Sequence, residues 1–233
     1  MDIICRGISD QRIAKIVASH GLDQILSEAI LKEIELVEYK AGEGVIIEGT
    51  QMQYYYFFIE GRLKIYQTYE NGKSFLIQFY TKMDSLGEVE IMENAEAFCS
   101  IDAVVDALLL RIPLSDMKNL MRTHLPFAQY IAKSLSRKLT SANHNQAFNL
   151  LYPVKNRLAS YLIWHCEDFK TVAYVDNNQE ISAFLGTSYR QFCRAINALE
   201  NEGYIEKDGK QIHIKKYDDL RRLAGHIYVE GQY

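Results

Sequence analysis

The sequence predicts an α+β fold: a β-roll in the first half, a long helix beyond it, and a winged helix-turn-helix at the C-terminal end. Three observations predict it. From about Leu36, short runs of alternating apolar and polar residues are cut by glycine-containing turn dipeptides. Beyond Pro113, apolar residues recur every three or four positions over a long stretch. After Asn178, a short helical pattern, a glycine, a second helical pattern and a basic hairpin follow in succession. The expected divisions are 1–112 for N-terminal helices and a sensor-like roll, 113–150 for a helical linker and dimerisation helix, and 151–233 for the winged helix-turn-helix.

The opening segment reads as short helices. Ile13, Ile16 and Val17, then Leu22, Ile25, Leu26, Ala29, Ile30 and Ile34, fall at helical spacing, with Gly21 between the two sets. The roll follows. Gly42-Glu43-Gly44, Glu48-Gly49, Glu60-Gly61 and Asn71-Gly72 read as turns. Asn71-Gly72 separates Leu63-Lys64-Ile65 from the alternating Phe75, Ile77 and Phe79, which predicts a hairpin because both turn residues tolerate positive φ. The aromatic run Tyr54–Phe58 suits a strand, and two more strands are expected near Ser100–Val105 and Ala107–Ile112.

Pro113 opens a helix over Leu114–Met121, and Pro126 starts another that could run to about Leu150. On the longer one Phe127, Ile131, Leu135, Leu139 and Ala142 form a narrow apolar stripe, with Lys133, Arg137 and Lys138 interleaved. Such a stripe fits pairing with a second copy of the chain, and equally fits packing on the chain's own roll. Pro153 opens a further helix with Val154, Leu158, Tyr161, Leu162 and Cys166 on its buried face.

With 233 residues, 48% of them hydrophobic, the chain can bury a core without disulfide or metal staples. Its four cysteines, Cys5, Cys99, Cys166 and Cys193, are scattered and form no CxxC pair, so reduced thiols are expected. No run of roughly 20 apolar residues suggests a membrane span. Met1–Arg6 lacks the basic-then-apolar pattern of a secretory leader, so a cytoplasmic location is expected. The net charge of −4 is unevenly spread. Residues 36–112 carry 6 Lys+Arg against 12 Asp+Glu, whereas 113–150 carry 5 against 1 and 151–222 carry 11 against 10. Phosphate contacts depend on local basic surface, so the total does not exclude nucleic acid.

The most specific pattern runs from Asn178 to Glu200. Ile181, Phe184 and Leu185 give a short helix an apolar face, Gly186 supplies the turn, and Ser188 is a good N-cap for a second helix. There Phe192, Ile196 and Leu199 line one face and leave Tyr189, Arg190, Arg194 and Asn197 on the other. Arginine so placed can bond bidentately to guanine in a major groove. Glu202 to Ile214 then reads as strand, Asp208-Gly209 turn, strand, with Ile205, Ile212 and Ile214 facing in and Lys207 and Lys210 at the tip. A basic hairpin directly after a recognition helix is a wing placed to touch phosphate.

Gln179-Glu180-Ile181, Leu185-Gly186, Ser188 and Arg194 together resemble the helix-turn-helix of the Crp/Fnr family of bacterial transcription regulators, and the order roll, long helix, winged helix resembles it along nearly the whole chain. The resemblance implies a cyclic-nucleotide-binding-like jelly roll, a homodimer through the long helix and a palindromic double-stranded DNA site. It also implies contact with RNA polymerase. Ser188, Tyr189, Arg190, Arg194, Asn197, Lys207 and Lys210 are then the expected DNA-binding residues. The family commonly has glutamate where Arg190 stands, so its usual half-sites do not carry over.

For an effector, Gly87-Glu88 resembles the pair that grips ribose in cyclic-nucleotide-binding members, and Phe98 and Cys99 lie where those members hold the phosphate. Yet Ala97-Phe98-Cys99-Ser100 contains no cation, and a buried phosphate without one forfeits charge-assisted bonds. Cyclic AMP control is therefore not expected, while an unidentified small-molecule effector stays open. No cofactor or metal is expected: one cysteine near the N-terminus is too few for an iron–sulfur cluster, and the six histidines all lie outside 36–113, unlike those of a metal-binding β-roll enzyme. Ser115-Asp116-Met117-Lys118 matches S-x-x-K without its partner motifs, so no catalysis is expected. The alternative is a cyclic-nucleotide-type ligand-binding module whose winged helix serves protein contacts.

Overall fold

In the computed structural model, which describes residues 1–70, 74–166, 171–172, 178–209 and 211–225, the chain opens with a strand rather than a helix. β1 (Asp2–Arg6) pairs antiparallel with β2 (Glu35–Tyr39) as an edge strand. Both its faces are largely accessible, so it carries no apolar alternation by which to announce itself. The expected helices follow as α1 (Gln11–Ser19) and α2 (Glu28–Glu33), each started by a side-chain cap: Asp10 accepts from Arg12 N and Ser27 from Ile30 N. Ile13, Val17, Leu22, Leu26, Ile30 and Ile34 are all buried.

The roll is built from β2, β3 (Gly44–Ile46), β4 (Tyr54–Thr68), β5 (Ser74–Tyr80), β6 (Asp84–Leu86) and β7 (Ser100–Pro113), with α3 (Glu88–Glu93) between the last two. All pairings are antiparallel in the order β1-β2-β7-β4-β5, with β3 on β7 and β6 on β4. The expected Asn71-Gly72 turn lies outside the described residues, but the strands it would join, β4 and β5, pair antiparallel.

The run Tyr54–Phe58 has no polar interruption because the strand is covered on both sides. Successive side chains alternate faces. Tyr55 and Phe57 pack with Ile13, Met117, Phe127 and Ile131 of the helices, whereas Tyr56 and Phe58 point into the roll with Val37, Leu63, Ile65 and Leu109.

Two expectations need correction here. Glu60-Gly61 is not a turn, and Ser100–Val105 and Ala107–Ile112 are not separate strands. β4 and β7 instead run past each other as long strands of 15 and 14 residues, with register shifts around Glu60, Gly61 and Arg62. Gly61 takes φ of 105°, and a Cβ there would lie 2.4 Å from the Asp106 carbonyl oxygen and 2.7 Å from Ala107 Cα. The glycine permits a bulge and a close backbone approach instead of a reversal.

α4 (Leu114–Thr123) and α5 (Leu125–Leu151) follow as expected. The chain forms two compact units, Met1–Ser136 and Arg137–Tyr233, and the division falls inside α5. In the second unit, α6 (Val154–Trp164) packs with α8 (Tyr189–Asn201) and α9 (Tyr217–Ala224). α7 (Asn178–Phe184) precedes α8, and β9 (Ile205–Asp208) and β10 (Gln211–Ile214) form a three-stranded sheet with β8 (Thr171–Val172). Leu158, Tyr161 and Leu162 of α6 are buried as expected, while Val154 and Cys166 are half-buried. Cys5, Cys99, Cys166 and Cys193 are not joined in disulfides.

Candidate nucleic-acid interface

The turn between α7 and α8 is fixed from three directions. Gly186 adopts φ of 58°, which an L side chain rarely takes. Ser188 caps α8, its Oγ accepting from Gln191 N at 3.3 Å. Beneath the turn, Arg157 of α6, only 5% exposed, donates to the Leu185 carbonyl and, at 3.1 Å, to Asn149 Oδ1. Asn149 also lies against Gly186, where an added Cβ would meet its side chain at 3.2–3.4 Å.

This frame presents α8 as the sequence predicts. Phe192, Ala195, Ile196 and Leu199 are buried, whereas Ser188, Tyr189, Arg190, Gln191, Arg194, Asn197 and Asn201 are exposed. Around a helix of 3.6 residues per turn, Arg190, Arg194, Asn197 and Asn201 fall opposite the buried face. Among the described residues neither Arg190 nor Arg194 is held in an ion pair, so both guanidinium forks are available.

The wing folds as antiparallel β9 and β10, with Ile205, Ile212 and Ile214 inward. Lys210 lies outside the described residues. Lys207 does not project alone. Its backbone N–H and its ammonium both reach Glu200 of α8, at 3.2 and 2.8 Å, and the ammonium also donates to Asn197 Oδ1 at 2.9 Å. These bonds hold the Glu200 carboxyl below the usual glutamate range. Sequence reasoning missed this clamp and the Arg157–Asn149 brace, since neither leaves a periodic signal. It also passed over Gln191 and Asn201 on the exposed side of α8; the Gln191 amide oxygen accepts from Thr187 Oγ1 at 2.7 Å.

Comparison with known proteins bears on the family and the fold. Residues 36–124 match the cyclic nucleotide-binding domain, and residues 156–223 match the Crp-like helix-turn-helix domain. The chain belongs to the Crp/Fnr family of transcription regulators. The regulatory protein YeiL of Escherichia coli O157:H7 is 24% identical over 86% of this chain and 90% of its own. A CRP-like cAMP-activated global transcriptional regulator of Mycobacterium tuberculosis is 22% identical over 92% of this chain and 99% of its own. A solved CRP-family regulator from Thermus thermophilus shares the fold at a TM-score of 0.71, with 16% identity, 84% of this chain and all of that one covered.

In this Crp/Fnr-family roll the expected effector residues meet different fates. Gly87 takes φ of 111° at the start of α3, wedged so closely that a Cβ would lie 3.1 Å from the Tyr55 ring and 3.2 Å from Met52 Cε. Glu88, 3% exposed, is engaged by the protein itself: its Oε1 accepts from Ser85 Oγ at 2.5 Å and from Ser134 Oγ of α5 at 2.8 Å. The Tyr130 hydroxyl donates to Ser85 Oγ at 3.1 Å. Phe98 is exposed and Cys99 half-buried, with the Phe98 N–H held by the buried Glu90 carboxylate at 3.0 Å. Among the described residues, no group of three or more His, Cys, Asp or Glu side chains could hold a metal ion, and no helix is long and apolar enough to cross a membrane.

The stripe on α5, which fits either pairing with a second copy or packing on the chain's own roll, is divided in its burial. Phe127 and Ile131 are buried in the roll's own core and Leu135 packs against it, so these side chains are taken up within one chain. Leu139, 64% exposed, and Ala142 remain on the surface. The first half is held by an aromatic cluster over β4: Phe127 of α5 meets Tyr55 of β4 edge-on at 5.9 Å and stacks on Tyr130 of its own helix at 6.3 Å.

Proposed function

We propose that this transcription regulator binds a palindromic promoter site as a homodimer, without control by cyclic AMP. The observation that carries the reading is the exposed face of α8. There Arg190 and Arg194, outside any ion pair among the described residues, stand opposite the buried Phe192, Ile196 and Leu199. Arginine and asparagine there can read base edges, while the N-terminal end of α8 and the wing approach the backbone. The exposed Leu139 and Ala142 in the second half of α5 support a dimer seam in that half alone. A dimer would place two recognition helices on half-sites about one helical turn apart. RNA polymerase is the partner such a regulator would engage from the promoter.

Cyclic AMP independence departs from the relatives named for cyclic AMP activation. It is supported by the engagement of Glu88 with Ser85 and Ser134, and by the absence of a cation in Ala97–Ser100. A phosphodiester entering there would have to displace short bonds to a buried carboxylate without a charge-assisted bond in return from that stretch. The test is selection of a DNA site from randomised duplexes by the full chain, without added nucleotide. Recovery of a two-fold symmetric site supports the reading; failure to enrich any sequence overturns it.

A further inference from the structure

The clamp between wing and recognition helix bears on which base the helix reads. Lys207 has three donors and no acceptor, so the Asn197 atom 2.9 Å from its ammonium must be the carbonyl oxygen. The Asn197 NH2 group is thereby turned away from the wing. Asn197 is exposed and lies on the same side of α8 as Arg190, Arg194 and Asn201.

We propose that Lys207 is a positioning residue which acts through Asn197, making that side chain a donor to a guanine or thymine edge and disfavouring the two-bond pairing with adenine. This rests on the DNA-binding reading of α8. Adenine recognition by asparagine needs both amide ends: the NH2 donates to N7 while the oxygen accepts from the N6 amino group. Here the oxygen sits against an ammonium, whose charge repels an approaching amino donor. What remains is a pair of N–H donors, matched by the two acceptors of guanine, O6 and N7, or by thymine O4, whereas adenine offers N7 alone beside an amino donor that faces the ammonium. Glu200 completes the device by holding the ammonium at 2.8 Å, which draws Lys207 onto the helix and away from phosphate. The lysine that the hairpin pattern assigns to the backbone thus tunes base choice.

The experiment measures full-length protein against its selected site and against every single-base change in one half-site, at several salt concentrations. The variants are Asn197→Ala, Lys207→Met, Lys207→Arg and the double variant Asn197→Ala with Lys207→Met. The wild-type protein should prefer guanine or thymine over adenine at one position, and Asn197→Ala should erase that preference. Lys207→Met should reduce the discrimination against adenine at the same position roughly tenfold, with no change in salt slope. Lys207→Arg, which can donate to the same two oxygens, should restore it, and the double variant should match Asn197→Ala. A Lys207→Met protein that weakens all sequences alike, its salt slope smaller by about one, makes Lys207 a phosphate contact and overturns the proposal. So does an Asn197→Ala protein with an unaltered base profile. Arg194→Ala, measured alongside, separates the two levels: if it too leaves the profile untouched, the reading of α8 fails, not only the role of Lys207.

Discussion

Ser134 of α5 and Glu88 of α3, 46 positions apart in sequence, share a hydrogen bond of 2.8 Å with both side chains buried. It ties the helix to the roll through a carboxylate that Ser85 engages as well. Removing one donor from a buried carboxylate costs more than an ordinary hydrogen bond. Ser134→Ala should therefore destabilise the roll by about 1.5–3 kcal/mol. The chain's one tryptophan, Trp164, lies in α6, so unfolding of the roll is better followed by far-ultraviolet circular dichroism than by tryptophan fluorescence. A Ser134→Ala protein as stable as wild type would show that the bond contributes nothing.

The same pair bears on ligand control. Calorimetry of the wild-type chain with cyclic AMP or cyclic GMP should show no micromolar binding, and DNA affinity should not respond to either nucleotide. Micromolar binding accompanied by a change in DNA affinity would contradict the reading of Glu88 as self-engaged.

Along α5 the burial pattern separates two kinds of variant. Phe127→Ala should remove a large buried ring and destabilise the roll by about 3–5 kcal/mol. Leu139→Glu combined with Ala142→Glu alters exposed positions, so the folded chain should tolerate it, while a dimer seam would then bury unpaired charge. The expected result in analytical ultracentrifugation is a monomer whose circular dichroism shows the chain still folded. A double variant that remains dimeric places the seam elsewhere.

Gly61 gives a purely structural test. Its φ of 105° and the 2.4 Å that would separate a Cβ from the Asp106 carbonyl oxygen leave no room for a side chain between β4 and β7. Gly61→Ala should cost at least about 1 kcal/mol, read as a lower urea midpoint for the roll. No loss would mean that the bulge relaxes freely.

That glycine also shows where sequence reading stops. Glu60-Gly61 carries the same local signal as a turn dipeptide, and only the pairing of β4 with β7 decides that it is a bulge. β1 escaped notice because an edge strand with two accessible faces has no apolar period. The helix-turn-helix was legible residue by residue, since its signals are local: Ser188 caps its own helix, Gly186 turns its own loop, and Phe192, Ile196 and Leu199 share a face by spacing alone. Arg157 and Lys207 were not, because their partners Leu185, Asn197 and Glu200 are set by tertiary packing. The apolar stripe on α5 is visible in the sequence, but periodicity cannot say that the roll covers only its first half.

The recognition helix offers the most direct test of function. Arg190 and Arg194 are one turn apart on α8, and the burial of Phe192, Ala195, Ile196 and Leu199 leaves them no direction but outward. Neither is held by a carboxylate among the described residues, so each can offer its two-pronged donor to guanine O6 and N7 without first breaking an ion pair. Arg194→Ala should cost about 1–3 kcal/mol per half-site and relax preference at one base position. Arg190→Ala should act at a different position of the same half-site, because the two residues are separated by a helical turn. A side chain bound to phosphate behaves otherwise: its removal weakens every sequence alike and reduces the salt slope by about 0.9 for each phosphate no longer neutralised. Titrating the selected site and its single-base variants at several salt concentrations distinguishes the two roles. If Arg194→Ala retains both affinity and base profile while circular dichroism shows the domain folded, this face of α8 does not read DNA.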